Sequence, residues 1–287
     1  MWSGQPPGGG GSRAKAAAIA AATTVVVGVG VTGSLLLGGD RDGNANGVSN
    51  NTKAPATVSK GTTASAPASG DPHGGETGRP TVPGWKAVVN PKWGTAFDVP
   101  PDWDVKPADL LIGFEDSEVD YTDPANRGKA IIIMGAPAVL QENWCLSQVK
   151  EDGRVKSTST ALAAAGTKGA RGAKNSGDAA LSQVYRWVYG GYTQPDTESI
   201  IRDNAATPYT TKSGIKGSIA WARSKNTPRK GTCASDGKAI TFGFKDSTGA
   251  FVAWNLHGVT GVKNELPDST IMKILSTVRL HGDPTES

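Results

Sequence analysis

At 287 residues the chain has room for one or two domains, and its 38 glycines and 18 prolines point to a low-complexity part beside a folded part. A net charge of +4 over this length argues against a dedicated nucleic-acid binder. Seven of the eight tryptophans lie between Trp85 and Trp254, so core-forming material is concentrated in the C-terminal two-thirds.

Residues 1–15 form a short tail whose only charges are Arg13 and Lys15. Residues 16–38 carry no charge, and a helix from Ala16 to Leu37 spans roughly 33 Å, enough to cross a bilayer core. The alternative is a cleaved signal peptide, whose apolar region is usually about 7–15 residues. The run is longer than that, and "GGDRDGNANG" after it offers no clean small-x-small cleavage site. No cysteine follows "LLLGG", which excludes a lipoprotein anchor. Positive charge is retained in the cytoplasm, so the expected topology is a single-pass cell-membrane protein with a cytoplasmic N-terminus and an extracellular C-terminal domain.

Residues 39–83 are built from Gly, Asn, Thr, Ser, Ala and Pro, with Val48, Val58 and Val82 as the large apolar residues. Such a segment cannot bury enough surface to offset its conformational entropy, so it is expected to be a disordered tether with ends about 35–40 Å apart. Residues 84–287 are long enough for one stable domain.

Within that domain the elements are expected in this order. Trp85–Val89 and Ala96–Val99 read as strands around the turn "NPKWG". Pro100 and Pro101 lack ladder donors and end the second strand; alternation resumes at Trp103 and Val105. Ala130–Met134, "AIIIM", reads as a buried strand. A helix is expected to start near Gln141–Asn143 and to carry Trp144, Cys145 and Val149, with Ser157–Ala165 also helical until "GTKGARGAKNSG" interrupts it. Asp178–Tyr189 is a helix with Leu181, Val184, Tyr185 and Val188 on one face. Ile215–Trp221, Ile240–Phe244 and Val252–Leu256 alternate as strands, the last two joined by "KDSTG". "LPDSTIMKILSTVRL" closes the chain as a helix, with Asp268 or Ser269 as its cap. The class expected is α+β, an antiparallel sheet covered by helices, preceded by one transmembrane helix and the tether.

"FDVPPDW", the later hairpin and the final "STIMKILSTVRL" resemble the PsbP/LpqN-like family of α/β/α sandwiches over residues 84–280. The whole chain looks like single-pass actinobacterial membrane proteins carrying an uncharacterised extracellular domain of this kind. The resemblance implies a binding or assembly role without catalysis. It rests on fold signatures rather than chemistry.

The residues that could carry chemistry are few. Cys145 and Cys233 both fall on the extracellular side, where a structural disulfide is the expected state; the other reading is a reactive thiol, for which a CxxC pair is missing. His257 sits in "WNLHGVTG", read as a strand end, while His73 and His281 lie in tether and tail, so no histidine-based metal site is expected. "GTKGARGAKNSG" lacks the Gly-Lys-Ser/Thr ending of a phosphate loop. Asp116, Glu118 and Asp120 have calcium-loop spacing, but Tyr121 and Arg127 stand where an EF-hand needs Gly and Glu. Charge is segregated along the chain: residues 98–123 are acidic and residues 124–245 basic. No catalytic, cofactor or metal residue is assigned. The function expected is a non-catalytic binding or assembly module at the cell envelope. It would contact the lipid bilayer through residues 16–38, and an envelope protein or anionic wall polymer through the domain, but not nucleic acid. The alternatives are a hydrolase using carboxylates such as Asp102, Asp104 and Glu115, or a sensor of wall or membrane state.

Overall fold

The computed structural model describes residues 24–27, 78–116, 119, 123, 126, 130–151, 154–228 and 231–285. The tail of residues 1–15, and most of the membrane helix and tether expected at 16–38 and 39–83, lie outside the described residues. No helix among the described residues is long and apolar enough to cross a membrane.

The class is α+β. Strands β1 (Thr24–Val27), β5 (Leu111–Phe114), β6 (Ile132–Leu140), β9 (Ala163–Gly169), β14 (Phe251–Thr260), β13 (Asp236–Lys245), β12 (Lys216–Ser224) and β10 (Ile200–Arg202) form one open sheet in that order. In the same sheet β4 (Trp103–Val105) also pairs with β6, and β11 (Thr207–Thr210) with β12. Every pairing is antiparallel. A small sheet joins β2 (Lys86–Asn90), β3 (Thr95–Val99) and β15 (Arg279–Leu280), and β7 (Cys145–Glu151) with β8 (Arg154–Thr160) makes a separate hairpin. The helices are α1 (Ser176–Val188) and α2 (Asp268–Leu275).

The two faces of the main sheet differ because period-two alternation sorts side chains by size. Ile240, Phe242, Phe244, Trp254 and Leu256 point to one face and pack with Phe97, Ile271 and Ile274 from the small sheet and α2. Ala220, Ala222 and Ala239 point to the other, against Val184, Trp187 and Val188 of α1. Small residues let the helix lie close. A Cβ on Gly243 would collide with the Ser176 carbonyl. The polar atoms beneath the helix are paired: Thr241 donates to Asn255 (2.7 Å), and Asn255 to Gln183 (3.3 Å). Asn175 caps α1 by accepting from the Asp178 amide at 2.8 Å. The helix buries Ala179, Ala180, Gln183, Val184, Trp187 and Val188. That stripe is rotated from the expected one, since Leu181 and Tyr185 are only half-buried.

Several expected elements differ. The helices read from Gln141 and over Ser157–Ala165 are strands β7, β8 and the start of β9. Residues 145–160 pair with each other across the hairpin, and the alanine run Ala163–Ala165 is sandwiched between β6 and β14, where small side chains fit. Alanine's helix preference is worth tenths of a kcal/mol per residue, and tertiary pairing overrides it. "AIIIM" continues to Leu140 through a bulge between Gly135 and Ala138, and Ile133 is exposed. "GTKGARGAKNSG" links a strand to a helix: its first residues end β9 and its last begin α1. The cap position of α2 is Pro267, not Asp268 or Ser269. The Asp268 carboxylate is instead engaged by Lys238 (2.8 Å) and Arg223 (2.6 Å).

"FDVPPDW" carries the chain from the small sheet to the large one. Phe97 lies on β3 and Trp103 on β4, both buried, and the Trp103 amide donates to the Pro100 carbonyl (3.1 Å) to close the turn. Between them Asp98 is fully buried. Its carboxylate accepts from Thr81 Oγ1 (2.6 Å), the Thr81 and Val82 amides (2.6 and 3.2 Å) and Arg279 (2.8 Å). One carboxylate thus fastens the first and last segments of the domain together.

Cys145 and Cys233 form a disulfide, with Cα atoms 5.6 Å apart and a sequence separation of 88. Cys145 begins a strand rather than a helix, so the bond fastens the β7–β8 hairpin to the loop ahead of β13. The start of that loop is held by the Asp236 carboxylate, which accepts from Ser224 Oγ, the Asn226 amide and the Thr227 amide and hydroxyl. Replacing both cysteines by serine is expected to lower stability by about 2–4 kcal/mol with the fold retained. Urea unfolding followed by circular dichroism measures the difference; an unchanged midpoint would show that the hairpin is held by packing alone.

Candidate ligand pocket

Helix α1 covers β12, β13 and β14 and reaches β5 and β6 only in part, where Trp187 meets Phe114 edge-on at 5.9 Å. The uncovered part is roofed by the β7–β8 hairpin and by a single turn of π-helix at Tyr189–Thr193. A cavity of about 300 Å³ remains between them, at the lower end of the size range of small-molecule sites. Leu110, Ile112, Phe114, Val139 and Ala164 line its apolar wall, and Tyr192 and His257 supply polar atoms. Lys106, Glu142, Asn143 and Ser159 also line it. The Lys106 ammonium bridges Asp104 (2.6 Å) and Glu142 (2.8 Å), and Ser159 donates to the Glu142 carbonyl. These hydrogen bonds hold the Lys106 pKa above its ordinary value.

Glycines make room for the aromatic rings. A Cβ on Gly190 or Gly191 would come within 2.8 or 2.7 Å of the Phe114 side chain, and one on Gly237 would enter the Tyr192 ring. The His257 ring stacks on Trp187 at 5.1 Å, and the Phe114 ring meets it edge-on at 5.0 Å. Its Nδ1 and the Tyr192 hydroxyl share a hydrogen bond of 3.0 Å. Burial pushes the imidazole pKa down to about 3 and the Tyr192 phenol pKa up, so both are neutral at physiological pH. His257 is not at a strand end: β14 runs on to Thr260 and holds the ring inside. Alternation in β14 put Asn255 and His257 opposite Trp254 and Leu256, and a polar face on a strand that is buried on both sides was the available signal. Nothing comparable marked Tyr192.

The acids singled out by sequence do not converge. Asp104 is held by Lys106, while Asp102 lines a separate open groove of about 410 Å³ with Trp85, Glu265 and Lys273. The Glu115 carbonyl accepts from Gln194, and Glu115 lines neither cavity. In the open groove, desolvation pushes the Glu265 pKa up, but hydrogen bonds from Lys238 (2.6 Å) and the Gly261 amide (2.8 Å) outweigh it and hold the group ionised. A carboxylate so held is a poor general acid. Glu118 and Asp120 of the calcium-spaced loop lie outside the described residues. Among the described residues no three His, Cys, Asp or Glu side chains are grouped to hold a metal.

A family model described as a domain of unknown function (DUF8017) matches residues 78–283. No curated protein and no solved structure matches the chain.

Proposed function

The chain belongs to the DUF8017 family, and from its pocket we propose that it is a membrane-anchored envelope protein whose extracellular domain binds a ligand without catalysis. The observation that carries this reading is the cavity under the hairpin: an apolar wall, a neutral His257–Tyr192 pair, and a lysine and a carboxylate spent on each other. A site of this composition is suited to holding a molecule rather than transforming it. The resemblance to PsbP/LpqN-like sandwiches supports the same role. An envelope protein or an anionic wall polymer, recognised by the basic stretch of residues 124–245, is the larger partner proposed.

The anchor rests on the charge-free run at 16–38 and on Arg13 and Lys15 before it. It places Thr24–Val27 in the bilayer, whereas the structure sets them beside β5; one molecule adopts one arrangement at a time. Protease added to intact spheroplasts is expected to digest the domain and leave residues 1–37 with the membrane. A soluble secreted product starting near Asp40 would refute the anchor. Binding is tested by native mass spectrometry of the full chain extracted from its own membrane. A bound small molecule is expected, and it should be missing from Ala164→Phe, which fills the cavity.

A further inference from the structure

The pocket's chemistry narrows the class of ligand it takes. We propose that the cavity accepts a compact, uncharged, mostly apolar molecule bearing one hydrogen-bonding group, of which a phenol is the simplest example, with that group set against His257 and Tyr192. The inference deepens the binding reading above and rests on it.

Size comes first. About 300 Å³, walled by Ile112, Phe114 and Val139, suits one aromatic ring with small substituents better than a sugar chain or a peptide. Charge comes next. An anion would need a cation in the wall, but the His257 ring is stacked on Trp187 and buried, and the Lys106 ammonium is already bonded to two carboxylates. A cation would have to take Glu142 from Lys106. Either ion would lose its hydration with nothing to replace it, which is the larger energy at stake in an apolar site.

Polarity comes last. Nδ1 of His257 is used by Tyr192, which leaves Nε2 without a hydrogen-bond partner among the described residues. A neutral imidazole has one donor and one acceptor nitrogen. If the Tyr192 hydroxyl donates to Nδ1, then Nε2–H is a donor; if Nδ1–H donates to the tyrosine oxygen, Nε2 is an acceptor. A hydroxyl on the ligand satisfies either case, because it can give or take a proton. A hydrocarbon of the same shape would leave that nitrogen unpaired, and the site would discriminate against it.

The test uses the full chain in detergent, with p-cresol, toluene and 4-methylbenzoate as probes that share one tolyl ring and differ in polarity. Binding is read from ligand-observed NMR and from the His257 imidazole ¹⁵N signals. Ala164→Phe in the same detergent serves as the blank for partitioning into micelles. Leu110→Trp, at a half-buried wall position, is a second blocking variant should the first fail to fold. The expected result is saturable p-cresol binding that shifts the His257 signals and is lost in the blocking variants. Toluene and 4-methylbenzoate should bind at least tenfold more weakly, and His257→Phe should erase the preference for p-cresol over toluene while toluene binding persists. If 4-methylbenzoate binds in the cavity as tightly as p-cresol, or toluene does so, the ligand class is wrong while the pocket remains a binding site. If no probe binds, or binding survives in both blocking variants, the binding reading itself falls.

Discussion

Trp103→Ala is expected to lower the unfolding free energy by about 3–5 kcal/mol, the range for truncating a buried aromatic. The indole is 1% exposed, packs with Phe97, Leu140 and Leu162, and sits on β4 opposite Leu140 in the register with β6. Removing it opens a void where the small sheet meets the large one. The neighbours cannot easily close in, because the backbone on both sides is committed. The Trp103 carbonyl accepts from Lys86 Nζ (2.7 Å) and its amide closes the Pro100 turn. Phe97→Ala should cost a similar amount, since its ring packs edge-on against Trp254 at 5.9 Å. Urea unfolding of wild type and variants, followed by tryptophan fluorescence and circular dichroism, gives the differences. Unchanged stability in Trp103→Ala would mean that the "VPPDW" turn is surface rather than core.

Acid is expected to weaken the fold well before its carboxylates titrate, and His257 is the reason. Burial holds its pKa at about 3 in the folded protein, against 6.5 when unfolded. Between those values the unfolded chain binds the extra proton, so stability is fully present above pH 6.5 and falls as pH drops toward 3. The linkage gives a loss on the order of 1–2 kcal/mol between pH 6.5 and 5, and a larger one by pH 4. His281, whose pKa is lowered by partial burial and by Arg279, adds to the loss in the same direction. The paired carboxylates Glu265 and Asp268 enter only lower. Their depressed pKa values make their contribution one that is present above the ordinary carboxylate range and lost in stronger acid. Urea midpoints measured at half-unit steps from pH 7 to 4.5 should therefore slope downward in wild type. His257→Phe keeps an aromatic ring on Trp187 but cannot take a proton, so its slope should be much flatter. Equal slopes in the two proteins would show that the histidine already reaches water or charge in the native state.

Much of the sheet was legible in the sequence because its inner strands have a strict two-residue alternation. Ile240, Phe242 and Phe244 could only face one way together, and so could Val252, Trp254 and Leu256. The same holds for the turn at Pro100 and Pro101, where missing amide donors stop a strand whatever surrounds it. The stretch from Gln141 to Ala165 was misread. Its serines, threonines and alanines have no apolar period of their own, and strand partners distant in sequence decide their conformation. Two cysteines expected on the extracellular side implied a bond between them, but not that it would fasten a hairpin.

Composition and local pattern were enough to set the class of the domain, the antiparallel run of its inner strands, the turn at Pro100 and Pro101 and the pairing of its cysteines, because each depends on neighbours within a few residues or on a choice with one partner. The pocket is different in kind. It exists because α1 covers β5 and β6 only in part, and because Gly190, Gly191 and Gly237 let Phe114 and Tyr192 close around a histidine up to 143 residues away along the chain. Such a cavity is set by the mutual placement of elements distant in sequence, and burial then makes an ordinary imidazole neutral. Neither effect has a local period or spacing to mark it, so only the tertiary structure decides where this protein can hold a ligand.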